Sequence, residues 1–137
     1  MNDLPPPFLG RRSRARRGVG LPVVYACSGC SGPGQMVNHV AVQLAQRGLA
    51  RMGCVAALGA DVPAMIEAAV AAPHVIALDG CAVACTTRCL ARHRITPDQH
   101  YVAAPGGIPD ESFERAEAEH LIGRVLADLL RPVQGAT

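Results

Sequence analysis

The chain has 137 residues, half of them apolar but only 3% aromatic, which suits one domain with a core of Ala, Val, Leu and Ile. Five Arg stand against one Asp in the first twenty residues, whereas eight Arg stand against ten acidic residues in the remainder, so the folded part is mildly acidic within a formal net charge of +2. Lysine is absent, which excludes Walker-type phosphate loops and Schiff-base chemistry, and no apolar run approaches the ~18–20 residues of a membrane span, so we expect a soluble cytoplasmic protein.

Residues 1–20 are predicted to form a disordered tail rich in Arg and Pro, because they hold almost nothing apolar to bury. The Arg run is compatible with nucleic-acid contact, but we favour a solvated arm, since no aromatic or basic patch follows it. A lipoprotein signal that ends at Cys27 is a weaker alternative. Gly20 and Pro22 interrupt the short apolar stretch that such a signal needs.

Residues 21–131 alternate between strand-like and helix-like patterns. Short apolar runs predict buried strands, and apolar residues at helical spacing predict amphipathic helices. In chain order, the predicted elements are a strand at Leu21–Ala26, a helix at Gln35–Gly48, a strand at Met52–Leu58, a helix capped by Asp61 with Pro63 just inside, a strand at His74–Leu78, a helix at Ala82–His93, a strand at Gln99–Ala103, and a helix that is capped by Asp110 and ends before Pro132.

This alternation predicts right-handed βαβ units and therefore a parallel sheet. The fold class that we expect is α/β: a small three-layer α/β/α sandwich with a four-stranded, mainly parallel sheet in the order 2-1-3-4, Rossmann/flavodoxin-like. One domain spans 21–131, and 132–137 form a short C-terminal tail.

Two clusters of thiols follow strands at matched places in this alternation. Cys27 and Cys30 come after the first strand, and Cys81 comes after the third strand, where it is predicted to start a helix. In the order 2-1-3-4 these strands are neighbours, and the carboxyl ends of neighbouring parallel strands border the ligand crevice of such sheets. We therefore expect both clusters to share one pocket.

The second cluster has helical spacing. Cys81, Cys85 and Cys89 recur every four residues and would stack on one helix face. The partial positive charge at a helix N-terminus is expected to lower the pKa of the thiols of Cys81 and Cys85, while Arg88 would help to offset the charge of several thiolates.

Clustered thiolates predict a thiophilic metal, with zinc first and an Fe–S cluster as the alternative. The preferred tetrahedral set is Cys27, Cys30, Cys81 and Cys85, with Cys89 able to replace Cys85. Buried and inert cysteines are the competing interpretation, and it is the one that we favour for Cys54, which falls inside the predicted second strand.

The histidines carry less information than the cysteines. His39 and His93 are candidates to support the metal ligands, although solvated surface positions are the interpretation that we favour. His74, His100 and His120 give no signal.

The residues of the two clusters resemble the DGC-domain family, which is named for an Asp-Gly-Cys motif and described as zinc-binding. The resemblance runs from about Leu21 to Ala104, and Ala82-Val83 departs from it where Pro-Leu is expected. The matching stretches are Cys27-Ser28-Gly29-Cys30-Ser31, Gly34-Gln35, Met52-Gly53-Cys54, Gly59-Ala60-Asp61-Val62-Pro63, Asp79-Gly80-Cys81, Ala84-Cys85 and Cys89-Leu90. The resemblance implies metal binding but no reaction. It adds Ser28, Gly29, Ser31, Asp79 and Gly80 as residues that support the ligands.

Three functions compete at this point. A zinc-binding module is the leading one, because a site closed by four cysteines leaves no open coordination position for hydrolysis. A thiol redox or sulfur-transfer enzyme that uses Cys27 and Cys30, with Cys81, Cys85 and Cys89 as partners, is the second. A nucleic-acid binder that uses the Arg tail is the third and least favoured. No protein partner is predicted.

Overall fold

The computed structural model describes residues 20–105 and 115–131. Three predictions therefore fall outside the described residues: the N-terminal tail apart from Gly20, the helix cap at Asp110, and the C-terminal tail. Among the described residues, none of the helices combines the length and the apolar character that crossing a membrane requires. The elements in chain order are β1 (Val23–Ala26), α1 (Gly32–Gln46), β2 (Arg51–Met52), α2 (Val55–Gly59), α3 (Pro63–Ala71), β3 (Val75–Cys81), α4 (Cys85–Arg92), β4 (Gln99–Ala104) and α5 (Arg115–Leu130).

The four strands form one parallel sheet in the order β2-β1-β3-β4. β1 pairs with β3 over its whole length, from Val23 opposite Val75 to Ala26 opposite Leu78. The predicted α/β class, the parallel sheet and its strand order are thus confirmed. Because β3 is three residues longer than this pairing, its last residues project beyond the end of β1.

Alternate residues of the sheet feed two separate cores, as expected where helices cover both faces. On one face Val24 and Ile76 pack with α1 and α5. On the other face Tyr25 and Ala77 pack with α2, α3 and α4. Fully buried aliphatic side chains fill both cores, which accounts for the low aromatic content.

The second strand differs from its prediction. β2 is only two residues long, and the chain turns at Gly53 into α2. A Cβ atom at position 53 would lie 2.3 Å from the Tyr25 ring, so the chain passes directly over that ring. Cys54 occupies the N-cap position of α2 and is exposed, so its assignment to a strand and to the core was wrong. The cause is the short apolar run at 52–58, whose pattern does not distinguish strand from helix.

The third strand and the following helix also differ from their prediction. Cys81 ends β3, and α4 begins only at Cys85, after Ala84 in the left-handed conformation. The predicted stack of three thiols on one helix is therefore wrong, since only Cys85 and Cys89 lie on α4. Asp61 does not cap α3, because Val62 is the N-cap residue; the Asp61 carboxylate instead pairs with Arg92, with N–O distances of 2.8 and 2.7 Å.

Candidate functional site

Hydrogen bonds join the loop after β1 to the neighbouring strand β3 and to helix α1. The Cys27 N–H donates to the Leu78 carbonyl at 3.0 Å, which continues the pairing of β1 with β3. The Cys27 sulfur accepts a hydrogen bond from the Gly29 N–H at 3.3 Å. The Gln35 amide donates to the Gly29 carbonyl at 2.8 Å, so the first cluster is held against the first turn of α1.

Helix α1 begins at Gly32, directly after Ser31, whose hydroxyl accepts a hydrogen bond from the Gly34 N–H at 3.2 Å, as an N-cap does. Its first turn lies directly on β3. A Cβ atom at position 80 would come within 2.6 Å of the Gly34 nitrogen and 2.8 Å of the Pro33 carbonyl carbon. Only glycine at position 80 permits this approach, and the approach places the Cys27 loop beside the end of β3.

Asp79 is fully buried and fixes the start of α4. Its carboxylate accepts from the N–H of Thr86 at 2.7 Å and of Thr87 at 3.4 Å, and from the Thr87 hydroxyl at 2.6 Å. Ala84, the N-cap residue, makes no side-chain cap, so a carboxylate from the neighbouring strand supplies the cap instead. The Asp and Gly of the Asp-Gly-Cys motif thus have separate structural tasks: Asp79 orients α4, and Gly80 allows the close approach of α1.

His100 on β4 completes the hydrogen bonds of Asp79 and was missed in the sequence. Its Nε2 lies 2.8 Å from Asp79 Oδ2. Nothing local marks this histidine, because the contact joins two strands that pair only in the folded sheet. The one hint was the buried aspartate, which needs hydrogen-bond donors from elsewhere in the chain.

The fold brings thiols from both clusters together. The thiols of Cys27 and Cys81 lie close enough to Cys85 to raise the pKa of its thiol. Cys89 is within electrostatic range of Cys27, and its sulfur packs against Gly59 of α2. Cys30 is exposed at the far end of the first loop. The gathered thiols are therefore those of Cys27, Cys81, Cys85 and Cys89.

These thiols are not, as placed, a finished coordination shell. Within residues 20–105 and 115–131, no three side chains of His, Cys, Asp or Glu are arranged to hold a metal ion. Cysteine side chains turn between staggered rotamers about a single bond. Binding of one metal ion by several of these thiols would require such changes of rotamer.

The pKa of the Cys85 thiol runs opposite to the prediction. Partial burial raises it, and the neighbouring Cys27, Asp79 and Cys81 raise it further. Burial, followed by Asp79, also raises the pKa of Cys89. The expected lowering at Cys85 by the helix N-terminus was wrong because burial outweighs it, and because the Asp79 carboxylate accepts from the N–H groups of that terminus and adds a negative charge.

The remaining candidates have structural contacts around the site. Arg88 donates through Nε to the Val83 carbonyl at 2.7 Å, and the Ser28 carbonyl accepts from Gln35 at 3.4 Å. His93 was expected at the solvated surface, but its side chain is only 12% exposed and Nε2 lies 2.6 Å from the Leu58 carbonyl. His93 therefore ties α4 to α2, which explains its burial. His39 is half-buried on α1, and His120 is exposed on α5.

Comparison with known proteins finds a matching family and a similar bacterial protein. The family model described as DGC domain matches residues 23–125. The anaerobic and virulence modulator AnvM of Pseudomonas aeruginosa is 41% identical over 99 residues, which are 72% of this chain and 76% of the relative. No solved structure matches the chain. The family match spans β1 to α5 and includes both cysteine clusters, so the chain belongs to the DGC-domain family.

Proposed function

We propose that the chain binds a thiophilic metal ion, zinc first, through thiolates at the carboxyl ends of β1 and β3. The observation that carries the proposal is the proximity of the Cys27 and Cys85 thiols, which follow different strands and are brought near each other only by the fold. A core cysteine needs no such partner. The ligands that we propose are Cys27, Cys81, Cys85 and Cys89, with Cys30 as the exposed alternative to any one of them.

The donor set fits a soft, tetrahedral ion. Thiolate sulfur selects zinc, copper(I) and Fe–S clusters over magnesium or calcium. Burial, the nearby Cys27 and the Asp79 carboxylate raise the pKa of Cys85 and so favour its protonated form in the metal-free chain, and a bound cation would reverse that preference because a coordinating thiol loses its proton. When bound, the metal supplies a cross-link between the loops rather than a hydrolytic centre, since four thiolates leave no open position.

The proposed role is metal handling or regulation in the cytoplasm rather than catalysis. A reducing compartment keeps free thiols ready for a metal. The relative in Pseudomonas aeruginosa is named a modulator, which favours a regulatory module by analogy.

Cobalt(II) spectroscopy of the reduced protein tests the proposal. Intense thiolate-to-cobalt absorption is expected for the wild-type chain, displaced by zinc. It should be weakened in Cys27→Ser and Cys85→Ser, where Cys30 is the available replacement, and unchanged in Cys54→Ser, the matched control at an exposed cysteine outside the cluster. Equal spectra from all three variants, or no absorption from the wild type, would contradict the proposal. Iron and sulfide in the purified protein would replace zinc with an Fe–S cluster.

The proximity of the Cys27 and Cys85 thiols also supports a second candidate, a thiol redox function. Oxidation of the Cys27 and Cys85 thiols by a two-electron acceptor such as a disulfide would form one S–S bond and pass two electrons and two protons to the acceptor. The expected bridge is Cys27–Cys85, not Cys27–Cys30. Peptide mapping of the metal-free protein after equilibration with oxidised glutathione distinguishes these pairings, and a chain that stays fully reduced would exclude this candidate.

A further inference from the structure

We infer that His100 is a positioning residue of the thiol site, acting on Cys85 through the Asp79 carboxylate and the first turn of α4. The expected effect of His100 on metal binding rests on the proposed function. The link from His100 through Asp79 to α4 rests only on the hydrogen bonds described below.

The Asp79 carboxylate is the junction of three elements. It lies on β3 with no exposure to solvent, and its hydrogen-bond donors come from α4 and β4. A buried carboxylate is costly unless its lone pairs are satisfied. Oδ1 accepts from Thr86, whereas Oδ2 accepts from Thr87 and faces His100. His100 is thus the described contact that ties this carboxylate to the edge strand of the sheet.

The orientation of this carboxylate sets the position of α4. The N-cap residue of α4 provides no side-chain cap, so the N–H groups of Thr86 and Thr87 depend on Asp79. Cys85 is the residue directly before Thr86 and opens the same turn. When the donor at position 100 is lost, Oδ2 keeps only Thr87 as a partner. The carboxylate can then rotate, and the thiol of Cys85 loses its fixed position against Cys27.

His100 bonds the Asp79 carboxylate and not a cysteine in the described part of the chain: its Nε2 lies 2.8 Å from Asp79 Oδ2, and its side chain is 36% exposed on β4. A role through Asp79, rather than direct ligation, is therefore the one that the geometry supports. Outer-shell partners of this kind typically change metal affinity 10–100-fold when they are replaced.

The test compares His100→Ala, which removes the donor, with His100→Gln, whose amide can restore it. His120→Ala on the exposed face of α5 is the control. Two quantities are measured on the full reduced chain: cobalt(II) affinity by chelator competition, and hydrogen exchange of the Thr86 and Thr87 amides in the metal-free protein. His100→Ala should weaken cobalt binding roughly 10–100-fold and speed exchange at both amides. His100→Gln should recover most of both, and His120→Ala should match the wild type.

Cobalt affinity and amide hydrogen exchange together separate the proposed metal binding from the positioning role of His100. If the wild type binds no cobalt, the proposed function fails, while faster exchange at Thr86 and Thr87 in His100→Ala still supports the hold on α4. If cobalt binds equally to wild type and His100→Ala, or if His100→Gln is as impaired as His100→Ala, the inference is overturned. If His100→Ala does not fold, Thr87→Val and Thr87→Ser test the same Oδ2 atom of Asp79. Cobalt affinity and amide protection should fall in Thr87→Val and recover in Thr87→Ser. Equal behaviour of the two variants would overturn the inference.

Discussion

Gly80 is the residue at which the site depends most on the absence of a side chain. A Cβ atom at this position would lie 2.6 and 2.7 Å from the Gly34 nitrogen and Cα, which are backbone atoms that cannot yield by changing rotamer. We expect Gly80→Ala to push α1 away from β3 and to lower the free energy of unfolding by about 1–3 kcal/mol, as overpacking does. Urea denaturation measures this loss.

Gly123 provides the control for that substitution. It lies inside α5, where a Cβ atom would meet no neighbour within 4 Å, and alanine favours helix interiors over glycine. Gly123→Ala should therefore raise the free energy of unfolding by up to ~1 kcal/mol. If Gly80→Ala is as harmless as Gly123→Ala, the close approach of α1 to β3 is not as described.

Cys85 should respond to pH as a weakened acid. Burial and its neighbours raise its thiol pKa, so in the metal-free chain the thiolate forms later as pH rises. The folded state holds this proton more tightly than the unfolded chain, and the associated stability is complete below the unfolded pKa and is lost as pH rises through the folded pKa. The iodoacetamide rate at Cys85, followed by mass spectrometry, should have its midpoint above the ordinary value of ~8.5. A midpoint at or below that value contradicts the assigned environment.

At the scale of the elements, α4 is held by what it buries rather than by its surface ion pair. Leu90 is fully buried, whereas Arg92 pairs with Asp61 through side chains that are 60% and 49% exposed. Leu90→Ala should cost about 2–5 kcal/mol, and Arg92→Ala at most ~1 kcal/mol. Chemical denaturation of the two variants decides between these contributions. Equal losses would mean that the ion pair contributes as much as the core contact, against this account.

The sequence predicts the order of the elements better than their ends. Alternating apolar runs and helical spacings were enough for a parallel sheet covered by helices, and the place of β1 beside β3 followed the order 2-1-3 that is common in such folds. The ends of β3 and α4 were missed because Asp79 and Gly80 have poor strand propensity and are held in β3 by tertiary contacts. The turn at Gly53 depends on the Tyr25 ring beneath it, which no local pattern encodes.

The candidate site was predictable only in part, for a similar reason. The strand order explains why thiols of both clusters come together, and the proximity of Cys27 to Cys85 is of the kind expected from it. The direction of the Cys85 pKa shift was not predictable, since it depends on burial in the fold and on groups from other elements, Cys27 and the Asp79 carboxylate among them. The role of His100 depends on the same carboxylate.

At the scale of the whole molecule, the fold places the thiols at the carboxyl-terminal edge of the sheet. Both thiol clusters follow strands that pair in parallel, and the N-termini of α1 and α4 lie at the same end of the sheet. The hydrogen bonds and close backbone contacts at Gly80 and Asp79 hold this edge together without a ligand. A metal would therefore add a cross-link to an organised edge rather than create the fold, and we expect the metal-free chain to remain folded.

The most direct test of the central claim is the zinc content of the chain after anaerobic purification under reducing conditions. We predict close to one zinc per chain for the wild type and for Cys54→Ser, and almost none for the double variant Cys27→Ser/Cys85→Ser. A wild-type chain that retains no thiophilic metal, or a double variant that retains as much zinc as the wild type, would contradict the claim.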